Sequence, residues 1–135
     1  MSFVLDCSVA LTWILPDEGR HRPADMMQRL ESEGGVVPEI WPLEIANALL
    51  VAERRRRMRE KDIERAINDL AALPITIDQE THQRALKATF SLASKYKLSS
   101  YDAAYLELAQ RTRSPLATLD KKLRSACRAA GIELL

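Results

Sequence analysis

Several things are scarce in this chain, and each scarcity closes off a class of function. There are two cysteines, Cys7 and Cys127, too few for a disulfide framework in an unsecreted chain of this length, so both are expected as free, buried thiols. There are two histidines: His21 sits in a polar segment near a turn, and His82 lies four residues before Leu86. Neither has a partner at ligand spacing, and Cys127 falls on a core stripe, which sets zinc aside. No Gly-x-Ser-x-Gly elbow exists for a serine hydrolase. No run approaches the roughly 18 apolar residues needed to span a bilayer, and the N-terminus has no basic segment followed by an apolar one. The expected location is therefore the cytoplasm, with no membrane association. The formal net charge of +1 excludes a globally basic nucleic-acid binder. No internal repeat, low-complexity tract or linker breaks the chain.

What remains is ordinary globular material. Apolar residues make up 47% and charged residues 29% of 135 positions, enough for one domain over residues 1–135 that folds without staples. The organising stretch is Ser2–Ser8. Phe3, Val4 and Leu5 form the short apolar run of a strand buried on both faces, and Asp6 follows at once. In open α/β sheets, ligands gather beyond the carboxyl ends of the strands, so Asp6 stands at a privileged place.

The pattern downstream alternates helix and strand. A helix is expected over Cys7–Leu15, ended by the turn Pro16–Gly19. A second carries Ala24, Met27 and Leu30 and closes at Gly34–Gly35, and Val36–Pro38 follows as a strand. Pro42 suits the first turn of a helix running from about Trp41 to about Arg57. Ile45, Ala48, Leu49 and Ala52 stripe one face of it and Leu43, Ala46 and Leu50 the next, so it is expected to be buried on two sides. Glu60–Leu73 is amphipathic, Ile75–Ile77 a strand, and Leu86, Phe90, Ala93 and Tyr96 stripe one helix beginning near Gln79. A helix over Ser99–Thr112, a strand over Leu116–Leu119 ending at Asp120, a helix striped by Leu123, Ala126, Cys127 and Ala130, and a last strand over Ile132–Leu135 complete the chain. This is an α/β pattern, a mostly parallel sheet of four to five strands with helices on both faces.

Four acidic residues occupy ends of these elements: Asp6 and Asp120 after strands, Glu44 and Asp102 in the first turns of helices. Each has a purely structural role open to it, as N-cap, dipole complement or the Ser99-x-x-Asp102 capping box. A parallel sheet, however, brings strand C-termini and the following helix N-termini to one edge, where the four carboxylates converge. At a spacing of about 5 Å and an effective dielectric near 20, each like-charge pair costs on the order of 3 kcal/mol. Such a cluster takes up protons or binds a cation. Oxygen-only ligands favour Mg²⁺ or Mn²⁺, which keep waters for a phosphate to displace. The expected chemistry is phosphodiester hydrolysis by a metal-activated water, with no protein nucleophile. Ser8 and Thr118, each two residues from an aspartate, are placed to orient carboxylates or water.

The segments D-C-S-V-A-L-T-W at Asp6–Trp13, P-L-E-I-A-N-A-L at Pro42–Leu49, Y-D-A-A-Y-L-E-L-A at Tyr101–Ala109 and L-A-T-L-D-K-K-L at Leu116–Leu123 resemble the four signature segments of VapC-type PIN-domain ribonucleases. The resemblance implies a PIN fold and an Mg²⁺- or Mn²⁺-dependent endoribonuclease acting on RNA, the toxin of a pair with a VapB-like antitoxin. It carries the acidic set onto Asp6, Glu44, Asp102 and Asp120, with Asp6, Asp102 and Asp120 toward the metal, Thr118 as the accompanying hydroxyl and Asn47 as the usual asparagine. Cys7 stands where alanine is common. A homodimer is expected from the two apolar faces of the Trp41–Arg57 helix together with the resemblance.

Lys121, Lys122 and Arg124 follow Asp120 and are the first candidates for RNA backbone contacts, ahead of Arg54–Arg57. Trp13, Trp41 and Tyr105 are assigned to packing rather than base stacking. Competing readings are a phosphotransfer domain, which an acid at Glu44 does not fit, a non-toxin PIN nuclease of RNA processing, and a catalytically silent PIN-fold binding module.

Overall fold

The computed structural model describes residues 1–135, apart from the side chain of Arg20. Its centre is β1, Phe3–Leu5. All three side chains are fully buried, as the unbroken apolar run requires for a strand covered on both faces. α1 (Cys7–Ile14) and α2 (Met26–Glu33) follow, then β2 (Gly35–Val37) beside β1 in parallel, Phe3 opposite Gly35. α3 (Trp41–Arg54) and α4 (Glu60–Ala71) lead to β3 (Ile75–Ile77), parallel to β2. α5 (Thr81–Arg84), α6 (Phe90–Tyr96) and α7 (Ser100–Thr112) precede β4 (Leu116–Ala117) and α8 (Lys121–Ala130). β4 returns to the other side of β1.

The sheet order is therefore β3-β2-β1-β4, all parallel. The chain winds outward from β1 through β2 to β3, then crosses back to β4. The reversal between β1 and β4 is a topological switch point, where a parallel sheet opens a crevice beyond its strand ends. α7 packs across β1 and β4 and touches α6 and α8. Gly35 has a steric cause: a Cβ there would lie 2.8 Å from Leu30 Cδ1, so α2 comes this close to β2 only over a glycine.

Several expectations are corrected. The second helix buries Met26 and Leu30 while Ala24 is exposed before it begins. α3 stops at Arg54, and Arg56 adopts a left-handed φ of 56°, so Arg55–Arg57 leave the helix rather than prolong it. The single helix from Gln79 is broken into α5, a wide turn over Ala85–Thr89 and α6, with Lys87 at φ −125°, ψ −108°. The break rotates the register, so Thr89 is buried while Leu86 and Phe90 are 89% and 64% exposed. The fourth strand ends at Ala117, two residues short of Leu119. The last strand is reduced to one parallel bridge between Leu134 and Leu116. α3 is buried on one side within the chain: Trp41, Ile45, Leu49 and Ala52 face the core, whereas Leu43 and Leu50 are exposed.

Candidate active site

The crevice centres on one carboxylate, Asp6, held by two hydroxyls. Asp6 occupies the N-cap position of α1 with extended backbone, yet its side chain caps nothing, so the capping role open to it in the sequence is not the one it plays. The group is 5% exposed. Ser8 Oγ and Thr118 Oγ1 each donate to the same oxygen, Asp6 Oδ2, at 2.6 Å. The two hydroxyls are themselves knitted to the loop after β4, because Ser8 Oγ accepts from the Leu119 amide and Thr118 Oγ1 from the Asp120 amide. Thr118 is 2% exposed. Both hydroxyls thus hold the carboxylate and tie the end of β1 to the end of β4, while neither uses Oδ1.

Asp120 and Asp102 arrive from helix starts. Asp120 caps α8, Oδ2 accepting from the Leu123 amide at 2.8 Å. Asp102 lies in the first turn of α7, which Ser99 caps by accepting the Asp102 amide at 3.1 Å. Glu44 is in the first turn of α3, and its Oε1 accepts the Tyr105 hydroxyl at 2.5 Å. The structural roles open to Asp120 and to the Ser99-x-x-Asp102 pair are therefore real, and they coexist with convergence.

That convergence is visible in the electrostatics. Burial holds the Asp6 carboxyl above its ordinary range, outweighing the Ser8 and Thr118 hydrogen bonds, and the charge of Asp120 adds to the rise. Burial raises Glu44 despite the Tyr105 donation, with Asp6 and Asp102 contributing. Asp102 is raised by burial, then by Asp120 and Asp6, against a pull downward from Lys122. Asp6, Glu44 and Asp102, brought to this edge by β1, α3 and α7, thus feel one another's charge, and the charge of Asp120 acts on Asp6 and Asp102.

Sequence reasoning missed two members of this neighbourhood. Tyr105, fully buried, cannot stack a base; it reaches Glu44 instead. The signal was available, since Tyr105 is three residues after Asp102 and shares its helix face. Cys7 is only half-buried and lies beside Tyr105, Glu44 and Asp6, with burial first and the neighbouring carboxylates next driving its thiol far up. It stays protonated and offers no soft ligand. Cys127 is fully buried, its thiol pushed up to about 11, chiefly by burial.

The other expected residues are exposed or half-buried. Asn47 is exposed on α3, one turn beyond Glu44. Lys121 and Lys122 are exposed and line a groove of about 500 Å³ with Lys95 and Lys97. Arg124 is partly committed, Nη1 donating to the Thr118 carbonyl at 2.9 Å. Arg57 pairs with Asp17. His82 pairs with Glu39 on an exposed surface, which leaves it outside any metal cluster.

Among the described residues, no three histidine, cysteine or acidic side chains close on one point as a finished metal cage. The donor chemistry nevertheless fits a hard divalent ion: the converging groups are carboxylate oxygens, mutually repelling and partly desolvated. Mg²⁺ in particular is commonly held through one or two carboxylates with its waters retained, so a preformed all-protein cage is not what such an ion requires. Asp6 Oδ1, Asp102 and Asp120 are the groups that would hold it.

Comparison with known proteins agrees with this architecture. The chain is 29% identical over 123 residues to Ribonuclease VapC3 of Pyrobaculum aerophilum, spanning 91% of this chain and 92% of that protein. Its fold is similar to the crystal structure of PAE2754 from Pyrobaculum aerophilum, with a TM-score of 0.61 over 93% of this chain and 84% of that one, at 16% sequence identity. Residues 3–129 match the PIN domain, a span that runs from the first residue of β1 into α8 and takes in all four acidic residues, so the chain belongs to the PIN-domain family.

Proposed function

We propose that the protein is a metal-dependent endoribonuclease, the toxin of a VapBC-type toxin-antitoxin pair. The observation that carries this reading is the desolvated Asp6 carboxylate, held by two hydroxyls at the switch point with Glu44, Asp102 and Asp120 coupled to it. The similarity to a protein named as a VapC ribonuclease supports the substrate and the pairing.

Asp6, Asp102 and Asp120 would hold the divalent ion, Mg²⁺ or Mn²⁺. When bound, such an ion neutralises phosphate charge and lowers the pKa of water. The chain's own residues do the rest. Ser8 and Thr118 fix Asp6 in one orientation, so little reorganisation accompanies the reaction. Glu44 orients the attacking water and accepts its proton. Thr118 also couples Asp120 to Asp6 through the Asp120 amide. Lys121 and Lys122 take the RNA backbone, with Arg124 bracing the turn that presents them. Asn47 stands at the RNA-facing rim.

The exposed face of α3 supports two protein partners, a second copy of the chain and a VapB-like antitoxin. Next to it, a groove of about 280 Å³ between α3 and α4 is lined by Trp41, Pro42, Ile45, Ala46, Leu49, Ile67 and Leu70, all apolar. Among the described residues no helix is long and apolar enough to cross a membrane.

The deciding experiment is cleavage of a mixed RNA pool by purified protein with Mg²⁺ or Mn²⁺, with and without a chelator. Cleavage abolished by chelator and restored by added metal is expected. Chelator-insensitive cleavage sinks the metal mechanism, and no cleavage under any condition leaves a PIN-fold binding module.

A further inference from the structure

We propose that Tyr105 is a positioning residue, whose buried hydroxyl fixes one oxygen of Glu44 so that the other is presented to the acidic crevice. The inference rests on the nuclease reading of that crevice and adds to it a residue outside the acidic set.

The geometry is specific. Tyr105 is 0% exposed and lies in the run Ala103–Ala109, buried without interruption. A tyrosine hydroxyl enters such surroundings at a cost unless it finds a partner. Its partner is a carboxylate 61 residues away on a different helix, at 2.5 Å, the distance of a charge-assisted O–H···O⁻ bond. The Cys7 thiol, a weak donor, is the other side chain that reaches the Glu44 carboxylate. The helix carrying Glu44 is not capped by a side chain at its N-terminus, and a glutamate there retains three side-chain torsions. One bond to a rigid buried ring removes most of that freedom.

Tyr105 also sits one turn after Asp102 on α7. The same hydrogen bond therefore sets the acid of α3 against the acid of α7. Asp6 is locked by its own hydroxyl pair, so the Tyr105–Glu44 bond completes the alignment of three acids that come from three separate elements. Cys7 lies against both members of the pair, its thiol within reach of Tyr105 and of Glu44.

A residue acting through Glu44 makes predictions that a packing residue does not. Tyr105→Phe keeps the ring and removes one oxygen. With Mn²⁺ and a short RNA substrate, kcat is expected to fall about 10- to 100-fold, the scale set by misplacing a catalytic group, with KM unchanged. In a Glu44→Gln background the same change is expected to cost less than about twofold, because the group it positions is already lost. Penalties that multiply instead would reduce Tyr105 to packing and overturn the proposal.

Glu44→Asp provides a variant that leaves the buried ring untouched. Shortened by one methylene, the carboxylate loses the reach to Tyr105 while keeping its charge, and wild-type kcat in this variant would also overturn the proposal. Thermal melting of the metal-free proteins supplies a readout independent of turnover. The Tm loss from Tyr105→Phe is expected to shrink in a Glu44→Ala background, which removes the acceptor, and equal losses in both backgrounds would show that the contact is not made. If the wild-type protein cleaves no RNA, the nuclease reading fails, whereas the coupling in Tm still decides whether Tyr105 holds Glu44.

Discussion

Asp6 spends two hydroxyl hydrogen bonds on one carboxylate oxygen and still has its pKa raised, because burial of the charged form outweighs them. Asp102 and Glu44 are raised by burial first and by like charge second. A site that holds several such groups is configured against its own stability until a cation arrives. Asp102→Asn tests this with little structural disturbance, since the hydrogen bond that the Asp102 backbone amide donates to Ser99 Oγ is kept. Removing one charge should lower metal-dependent RNA cleavage by at least about 100-fold, while the metal-free protein melts about 2–5 °C higher, corresponding to relief on the order of 1 kcal/mol. Parallel cleavage assays and calorimetric melts in chelator check both halves. A variant that loses activity and stability together would place Asp102 in the scaffold.

The elements away from the crevice show two further tensions. Between α5 and α6 the backbone leaves helical geometry at Lys87, and Thr89 is carried inside with an Oγ1 that finds no partner among the described residues. An unpaired buried hydroxyl costs about 1–3 kcal/mol. Thr89→Val, nearly the same shape, should therefore raise stability by up to about 1 kcal/mol in urea denaturation, where most buried threonine substitutions lower it.

At the far end of α7, Arg111 spreads its guanidinium over Asp78, Glu80 and Glu107, tying that helix to the loop after β3. Burial pushes the Asp78 carboxyl up, but the hydrogen bond and charge of Arg111, with the Glu80 amide and Thr81 hydroxyl, together hold it below its ordinary 3.8. A depressed carboxylate contributes stability above its unfolded pKa and loses it as pH falls through the folded value. Arg111→Met should cost about 3–5 kcal/mol at pH 7, because it strands partly buried acids. The gap to wild type should narrow once the pH drops below about 3.8. Urea denaturation at pH 7 and pH 3 measures it.

At the scale of the whole molecule, one helix serves two masters. α3 gives Trp41, Ile45, Leu49 and Ala52 to the core and leaves Leu43 73% and Leu50 42% exposed, with Ile67 of α4 52% exposed nearby. Apolar side chains left bare in this way mark an interaction surface. Leu50→Glu places a charge there without entering the core. Light scattering at micromolar concentration is expected to show a dimer for the wild type and a monomer for Leu50→Glu, with the circular dichroism spectra unchanged. A wild-type monomer would overturn the homodimer reading of this face.

The parts of this protein that its sequence determined alone are those set by short-range physics. The run Phe3–Leu5 dictates a central strand because no other placement removes three consecutive apolar side chains from water. The alternation of helix and strand dictates a parallel sheet, and the positions of Asp6, Glu44, Asp102 and Asp120 at element ends follow from the same reading. Gly131, at φ 75°, ends α8 just after Ala130, the last residue of its apolar stripe. Tertiary structure decided the rest. The strand order, and with it the switch point between β1 and β4, depends on pairings across more than 100 residues, such as Val4 with Leu116. The Thr118 bond to Asp6 spans 112 residues, and the Tyr105 bond to Glu44 spans 61. The stripe of Leu86, Phe90, Ala93 and Tyr96 satisfied a helical period, yet a backbone break at Lys87 turned two of its members to solvent. Periodicity states which side chains share a face; only the packing of α6 on α7 decides which face is turned inward.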